Sequence, residues 1–420
     1  MWAPRLFRCQ LVKPRAIVAA MTPYRDILAI PAQRRLLFAA IPADFADWFD
    51  YVAVVALIAY VWGEGPVALA LLALAFALPY VVAGPLLAAW VDRADLKLVL
   101  LLSNLGRGVL TFALVIAPNV EILLLIVLLR GIVDSAFTPA RQSAIQLTTP
   151  EPLLMAANGL HQGINQASKI VAPACGGLLL ALVPAQGVFV INGVLSVVAF
   201  LILLGLKLPP RAHIEHDAEE PFFARVAGGI AEFGRNRVLL AVLIFASAAN
   251  FTFFLYDTQI ALLTSQLGYD ATAFGLTITA SGIGGMTGAY LAGLMRPNRP
   301  LLLMALAALV SGPVTVGTAL AAAWGVAIPF PLFCLVMAVM GGTTVFMLVP
   351  YRSVIQSETP PDRIARVSAA GEAAMTTAMM AAPLLGSLIV TGFGVPAPFI
   401  VGGGLIILLG LGALAFAFRR

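Results

Sequence analysis

Among the charged residues of this 420-residue chain, a few fall inside long apolar runs, and those are the ones that could do chemistry. Asp44, Asp47 and Asp50 follow one another at steps of three in the first run, so Asp44, Asp47 and Tyr51 share one broad face of a helix. Arg130 and Asp134 stand four apart in the fourth run, the spacing of a same-helix ion pair. Lys169, Asp257 and Glu372 lie in the fifth, seventh and eleventh runs, and Arg107 lies in the third. Ionisable groups in such surroundings are costly and mark cavities, relays or pairs. The chemistry open to them is proton traffic: a buried carboxyl binds a proton more readily and a nearby cation opposes this, so exchanging the partner moves the proton. Asp47, Asp134 and Glu372 lead as proton-coupling candidates, with Asp44 and Asp257 behind them and Arg130 and Lys169 as charge partners. The plainer readings are that Asp44–Asp50 line a hydrated entrance or cap a break after Pro42, that Arg130–Asp134 is a static pair, and that Glu372 lines a cytoplasmic mouth.

Polar and aromatic groups on the same runs could meet a substrate: Asn165 and Gln166 on the fifth, Asn250, Tyr256 and Gln259 on the seventh. An apolar pocket with scattered polar groups suits an amphiphilic small molecule. The Phe251, Phe253, Phe254 cluster and the Met375, Met379, Met380 set read as packing. Other chemistries lack their residues. The three cysteines show no ligand or disulfide spacing, and His213-x-x-His216 sits in an acidic loop that reads as solvated rather than as a metal site. Gly282-Ile-Gly284-Gly285 lacks the Lys-Ser/Thr of a phosphate loop and reads as close helix contact. The expectation is therefore no cofactor, no metal and no catalytic constellation.

These groups must be positioned by membrane-spanning helices. The chain is 61% hydrophobic and 11% charged, with mean hydropathy +0.98, against about 45–50% and about 25% for a soluble domain. That composition excludes a soluble enzyme and a nucleic-acid binder. The apolar runs number about twelve, each near the 20 residues of a span, and they do not alternate as barrel strands would. The spans are about 36–62, 67–90, 98–117, 119–140, 157–183, 187–206, 238–263, 272–295, 300–322, 327–349, 364–391 and 395–418. Counted by loop, 22 of the 25 Lys and Arg, Arg141 among them, fall on one side and none on the other. This is a positive-inside signal. It puts both termini in the cytoplasm of a multi-pass protein of the plasma (inner) membrane, and it explains the pI of about 9.3 without a nucleic-acid partner. The division is a cytoplasmic arm over 1–35 with no apolar run long enough for a signal peptide, a six-helix bundle over 36–206, a cytoplasmic linker over 207–237 and a second bundle over 238–420. Met21 is a second possible start. A monomer is expected.

The halves repeat at an offset of about 210: Pro139-Ala-Arg141-Gln-Ser-Ala-Ile145-Gln146 pairs with Pro350-Tyr-Arg352-Ser-Val-Ile355-Gln356, and Ala172-Pro173-Ala-Cys-Gly176 with Ala382-Pro383-Leu-Leu-Gly386. On that offset Asp47 and Asp257, and His161 and Glu372, hold equivalent places. Bundle halves related this way carry a substrate path between them.

Several stretches resemble the major facilitator superfamily, within it the enterobactin- and macrolide-efflux type exporters. The loop Gly84-Pro-Leu-Leu-Ala88-Ala-Trp-Val-Asp92-Arg93-Ala-Asp95-Leu96-Lys97 is similar to the family's Gly-x-x-x-Asp-Arg-x-x-Arg-Arg loop, with Ala88 for Gly and Leu96 where Arg is frequent. Ala46-Asp47-Trp48 resembles Gly-Asp-Trp, and Phe137-Thr-Pro139-Ala-Arg141-Gln with Ala157-Asn158-Gly159 resembles the loop between helices 4 and 5. Ala172-Pro173-Ala-Cys-Gly176-Gly177 resembles the antiporter signature Gly-Pro-x-x-Gly-Gly. The resemblance implies two six-helix bundles that rock about a central site, and export of a small amphiphile, drug or siderophore, by proton antiport. It also implies a cytoplasmic latch in which Asp92, with Arg93 and Lys97, meets the start of helix 11 near Arg366. A proton-independent facilitator or lysolipid-type transporter of the same fold is the alternative; a membrane-embedded enzyme is the remote one.

Overall fold

The computed structural model describes residues 24–91, 93–180, 182–209, 233–294, 300–359 and 364–418. The arm over 1–23, both loop histidines, Asp92 and most of the central linker lie outside the described residues. The fold is all-α. Twelve helices of 19 residues or more follow in chain order: α1 (Pro31–Ala56), α2 (Pro66–Val91), α3 (Leu96–Leu114), α4 (Val120–Thr148), α5 (Leu154–Leu180), α6 (Ala185–Leu204), α7 (Arg237–Asp257), α8 (Ala271–Leu294), α9 (Pro300–Ala323), α10 (Phe330–Glu358), α11 (Ile364–Phe393) and α12 (Ala397–Phe418). A π-helical turn, Leu57–Val61, extends α1, and a short helix, Ile260–Gln266, follows α7. Eight of the twelve are long and apolar enough to cross a membrane by length and composition; α1 and α4, which carry most of the buried charge, are outside that set.

Local chemistry sets the ends. Asn119 caps α4 by accepting from the Ile122 amide at 3.0 Å, Asn236 caps α7 by accepting from Val238 and Leu239, and Asp95 caps α3 by accepting from Leu98 at 3.0 Å. Prolines do not end helices here. Pro42, Pro139, Pro313, Pro350 and Pro383 all lie inside them. Two expectations change as a result. α1 has no break after Pro42, and the Phe137–Arg141 stretch read as a loop is helix, because α4 and α10 run about two turns past the apolar segments. Neighbouring helices and side chains can satisfy the backbone groups that a proline frees inside a membrane helix.

The pattern of helix contacts repeats. α1 packs on α5 and α6, α2 on α4, and α3 on α4 and α6; α7 packs on α11 and α12, α8 on α10, and α9 on α10 and α12. Contacts between the two sets run α2 to α11 and α5 to α8, each the image of the other. Glycines mark two matching crossings. A Cβ on Gly176 would come 2.5 Å from the Phe49 carbonyl oxygen, and one on Gly386 would come 1.9 Å from that of Leu255. Likewise Gly108 faces the Gly193 carbonyl and Gly312 that of Gly403. These are close backbone crossings of the small-residue kind.

The glycine pairs fix which residues correspond. Phe49 matches Leu255, so Asp47 matches Phe253 and Asp257 matches Tyr51. The equivalence of Asp47 with Asp257 is therefore corrected. The sequence offset of the α5–α11 motif does not carry over to α1–α7, whose register is four residues shorter. On α5 and α11 themselves the Gly176–Gly386 match sets the offset at 210, so His161 corresponds to Gly371 rather than Glu372.

Candidate functional site: a charged core and its neutral counterpart

α1 presents three aspartates to two neighbouring helices. Asp44 accepts from Arg141 of α4 at 2.6 Å, Asp47 accepts from Arg107 of α3 at 2.6 Å, and Asp50 pairs with Arg130 of α4. Arg107 also donates to Asp134 of α4 at 3.0 Å and to the Ala43 carbonyl at 2.8 Å. The Phe137 ring lies between two of these cations, 5.7 Å from the Arg107 guanidinium carbon and 5.3 Å from that of Arg141, a double cation–π contact. The side chains of Asp44, Asp50 and Arg107 are 1% exposed or less; Asp47 stands apart at 29%. Lys169 of α5 places its ammonium 5.7 Å over the Trp48 ring, beside Asp47 in sequence.

Three expectations are corrected here. Arg130 and Asp134 do not form the same-helix pair: Arg130 reaches Asp50, and Asp134 goes to Arg107. The four-residue spacing permitted that pair, but α1 offers a carboxylate that would otherwise be buried alone. Arg141, counted among the cytoplasmic loop cations, is 14% exposed inside the bundle on Asp44. Asp44 and Asp50 line no hydrated entrance, being 1% and 0% exposed. The residue that sequence reasoning passed over is Arg107, the hub; its signal was a lone arginine in an otherwise apolar helix.

A second cluster ties the start of α1 to the end of α4 and the first turns of α5. Gln33 of α1, fully buried, donates to Thr148 and Thr149 at the end of α4, both at 2.7 Å, and its carbonyl lies 3.4 Å from His161 of α5.

At the matching place in the second half the four aspartates, Arg107 and Arg130 give way to uncharged residues; Arg352 keeps the place of Arg141, and its side chain lies outside the described residues. Asp44, Asp47 and Asp50 correspond to Asn250, Phe253 and Tyr256, and Arg107 corresponds to Ser311. Aligned on Pro139 and Pro350, Asp134 corresponds to Val345 and Phe137 to Leu348. What occupies this place is a cavity of about 50 Å³, lined by Asn250, Phe253, Tyr256, Ser311, Met347 and Met375 among others. Asn250 donates to the Met375 carbonyl at 3.0 Å and so joins α7 to α11. The aromatic wall is built from edge contacts of Phe253 with Phe254 and Tyr256.

Of the sequence-predicted substrate contacts, the cavity brings together Asn250 and Tyr256. Gln259 is fully buried past the end of α7, bonded to Thr258, and Asn165 is half-buried on α5. Phe253 and Met375, read as packing, line the cavity. Asp257 ends α7 half-buried and forms no ion pair among the described residues. The side chains of Gln166, Glu372 and Arg366 lie outside the described residues, as does Asp92. Of the predicted latch, Arg93 sits in the turn after α2 and Lys97 in the first turn of α3. The helix-capping carboxylate there is Asp95.

Among the described residues no three His, Cys, Asp or Glu side chains gather as a metal site. The arrangement sets a buried ion-pair network in one half against a mostly apolar cavity lining in the other.

Known proteins share this build. The solved structure of a bacterial homolog of the human lysosomal transporter Spinster, inward-facing and unoccupied, aligns with 93% of this chain and 97% of its own, with TM-score 0.70 at 16% identity. At that identity the likeness is one of fold. The uncharacterized MFS-type transporter YfiS of Bacillus subtilis (strain 168) is 28% identical over 375 residues, 88% of this chain and 89% of its own. Macrolide efflux protein A of Streptococcus pyogenes is 25% identical over 345 residues, 80% and 83%. Residues 36–321 match the sequence model of the Major Facilitator Superfamily. A repeated six-helix build, helices apolar enough to cross a membrane and this match together establish that the chain belongs to the Major Facilitator Superfamily and is a multi-pass membrane transporter, not an enzyme.

Proposed function

We propose that the protein exports a small amphiphilic molecule, of the macrolide kind, across the plasma membrane in exchange for inward-moving protons. The two six-helix halves, 36–206 and 238–420, alternate access to a site between them, with both termini and the linker 207–237 cytoplasmic, and the protein works as a monomer. The observation that carries the reading is the stoichiometry of the charged core. Among the described residues Asp44, Asp47, Asp50 and Asp134 face three arginines, and Arg107 alone serves both Asp47 and Asp134. Among these seven residues carboxylates outnumber guanidinium groups by one, an imbalance that a proton or the Lys169 ammonium nearby can answer, and Asp47 is the most exposed of the aspartates. Binding and loss of the proton change which carboxylate holds Arg107, and hence how α1, α3 and α4 grip one another. One charge crossing 100 mV supplies about 2.3 kcal/mol, enough for roughly fifty-fold accumulation.

The methionine- and aromatic-rich lining across the pseudo-symmetry supports an amphiphilic substrate by its chemistry; at about 50 Å³ the cavity itself must widen to admit one. The relative named for macrolide efflux supports export. The Asp92 loop with Arg93, Lys97 and Arg366 is assigned the cytoplasmic latch on the family resemblance, and Glu372 and Asp257 are assigned secondary places on the proton route. The test is transport in proteoliposomes with an imposed pH gradient. Erythromycin accumulation that collapses with a protonophore is the expected result; uptake insensitive to the protonophore would overturn proton coupling.

A further inference from the structure

α3 and α6 meet along a seam that the ion pairs do not use. Asn104, Arg107 and Thr111 line one face of α3, and Asn192 and Ser196 one face of α6; all are 0–1% exposed. Gly108 brings the two helices together there, since a Cβ on it would stand 3.4 Å from the Ser196 Cβ. Along this seam Asn104 Oδ1, Arg107 Nε, Thr111 Oγ1, both amide atoms of Asn192 and Ser196 Oγ have no hydrogen-bond partner among the described residues. Buried polar atoms are almost always paired, and one orphan is an accident where six along one interface are a pattern. The Asn104 side-chain amide donates to the Leu100 carbonyl at 2.8 Å, turning back on its own helix.

The second half lacks the feature. Asn192 and Ser196 correspond to Gly402 and Ile406, and Asn104 corresponds to Ala308. The Tyr256 ring lies against Gly402, and Thr315, the match of Thr111, is satisfied by the Ser311 carbonyl at 2.9 Å. The orphaned polar seam thus occurs in the half that carries the charges. From Asn104 to Thr111 it covers about 10 Å of helix, passes the unused Nε of the hub arginine, and ends three residues from the end of α3.

We propose that this seam is a hydration site holding a file of about two or three ordered waters, and that it is the route by which protons reach the Asp47–Arg107–Asp134 site from the Leu114 end of α3. Asn192 and Ser196 donate to and accept from these waters, and a proton passes along the file as each water gives up one O–H proton and takes another. The excess proton then ends on a carboxylate oxygen of Asp47 or Asp134. The titratable and charged groups that face the receiving end are Arg107 from α3, Asp44 and Asp47 from α1, Arg130 and Asp134 from α4, Tyr80 from α2 and Lys169 from α5; α6 contributes none along this face. The inference rests on the proton-coupling reading above.

The experiment is an acid jump on the purified full-length protein, followed by the infrared band of protonated carboxyls, with no substrate present. Asp47→Asn and Asp134→Asn identify the band. Asn192→Leu, which fills the seam with an apolar group of the same size, is expected to slow its appearance by about tenfold or more while leaving the final amplitude. Ser196→Ala, the milder change, keeps the test open if Asn192→Leu does not fold, and is expected to slow it less. An unchanged rate in a folded variant, including one whose only defect is a lower melting temperature, overturns the proposal: protons then arrive directly at the exposed edge of Asp47. This outcome is separate from failure of the antiport reading, in which the wild-type carboxyl titrates through the seam but substrate moves without protons.

Discussion

At one place in each half of the molecule the same helices cross in the same way and do opposite things. In the first half the crossing of α1, α3 and α4 is filled with guanidinium and carboxylate groups; in the second the crossing of α7, α9 and α10 is a neutral cavity of about 50 Å³. A fold repeated by duplication does not need two proton sites or two substrate walls. On the proposed exchange, the difference between halves is the coupling device: a charge change acts on one bundle while an uncharged molecule meets the face of the other.

The comparison breaks most readily at its hub. Arg107→Met leaves two carboxylates without their cation, and removing one partner of a buried pair costs about 3–5 kcal/mol. Thermal unfolding in detergent should show that loss together with abolished coupled transport, whereas Ser311→Ala at the matching place should be nearly neutral for stability. Next in size is Asp50→Asn, which strands Arg130. It is expected to lower stability by up to about 3 kcal/mol, with partial recovery in the Asp50→Asn/Arg130→Gln double variant, because the uncompensated charge rather than the lost contact does the damage. On the neutral side, Phe253→Ala removes an aromatic wall of the cavity. Equilibrium binding of the transported compound should weaken about tenfold, the share expected from one large apolar side chain, with stability little changed. The smallest effect is at the junction of the halves. The Tyr60 hydroxyl donates to the Ala261 carbonyl at 2.9 Å, at the end that the cation count places outside. Tyr60→Phe removes about 1 kcal/mol and should shift the balance of open states about fivefold, read by accessibility of an engineered cysteine.

How much of this was legible beforehand follows from which forces act within one helix and which act between helices. The all-α membrane fold and the Ala-Pro-x-x-Gly crossings were readable, because hydropathy and small-residue spacing are local signals; of the twelve spans read, eight stand out by length and composition among the described residues. Asp47 and Asp134 were singled out because a carboxylate in an apolar run is costly wherever it sits. Their shared partner was not, since Arg107 lies on a third helix, and the i to i+4 spacing of Arg130 and Asp134 suggested a nearer answer. Arg141 reads as a loop cation because the apolar run ends near residue 140, yet α4 continues past it and carries the cation to Asp44. The cavity was half legible. Asn250 and Tyr256 stood out as polar, while Phe253, Met347 and Met375 look like ordinary packing until the neighbouring helices are in place. The pairing of Asp47 with Asp257 failed because the halves differ in length between their helices, so a single offset cannot align them all.

The measurement that bears most directly on this division of labour is proton movement driven by substrate. Proteoliposomes containing an internal pH indicator are given a macrolide gradient, alongside a direct binding measurement on the same preparation. Wild-type protein should couple drug movement to a counter-movement of protons, and Asp47→Asn should bind the compound with unchanged affinity while the pH signal disappears. An Asp47→Asn protein that still moves protons with its substrate would contradict the assignment of coupling to the Arg107 carboxylates.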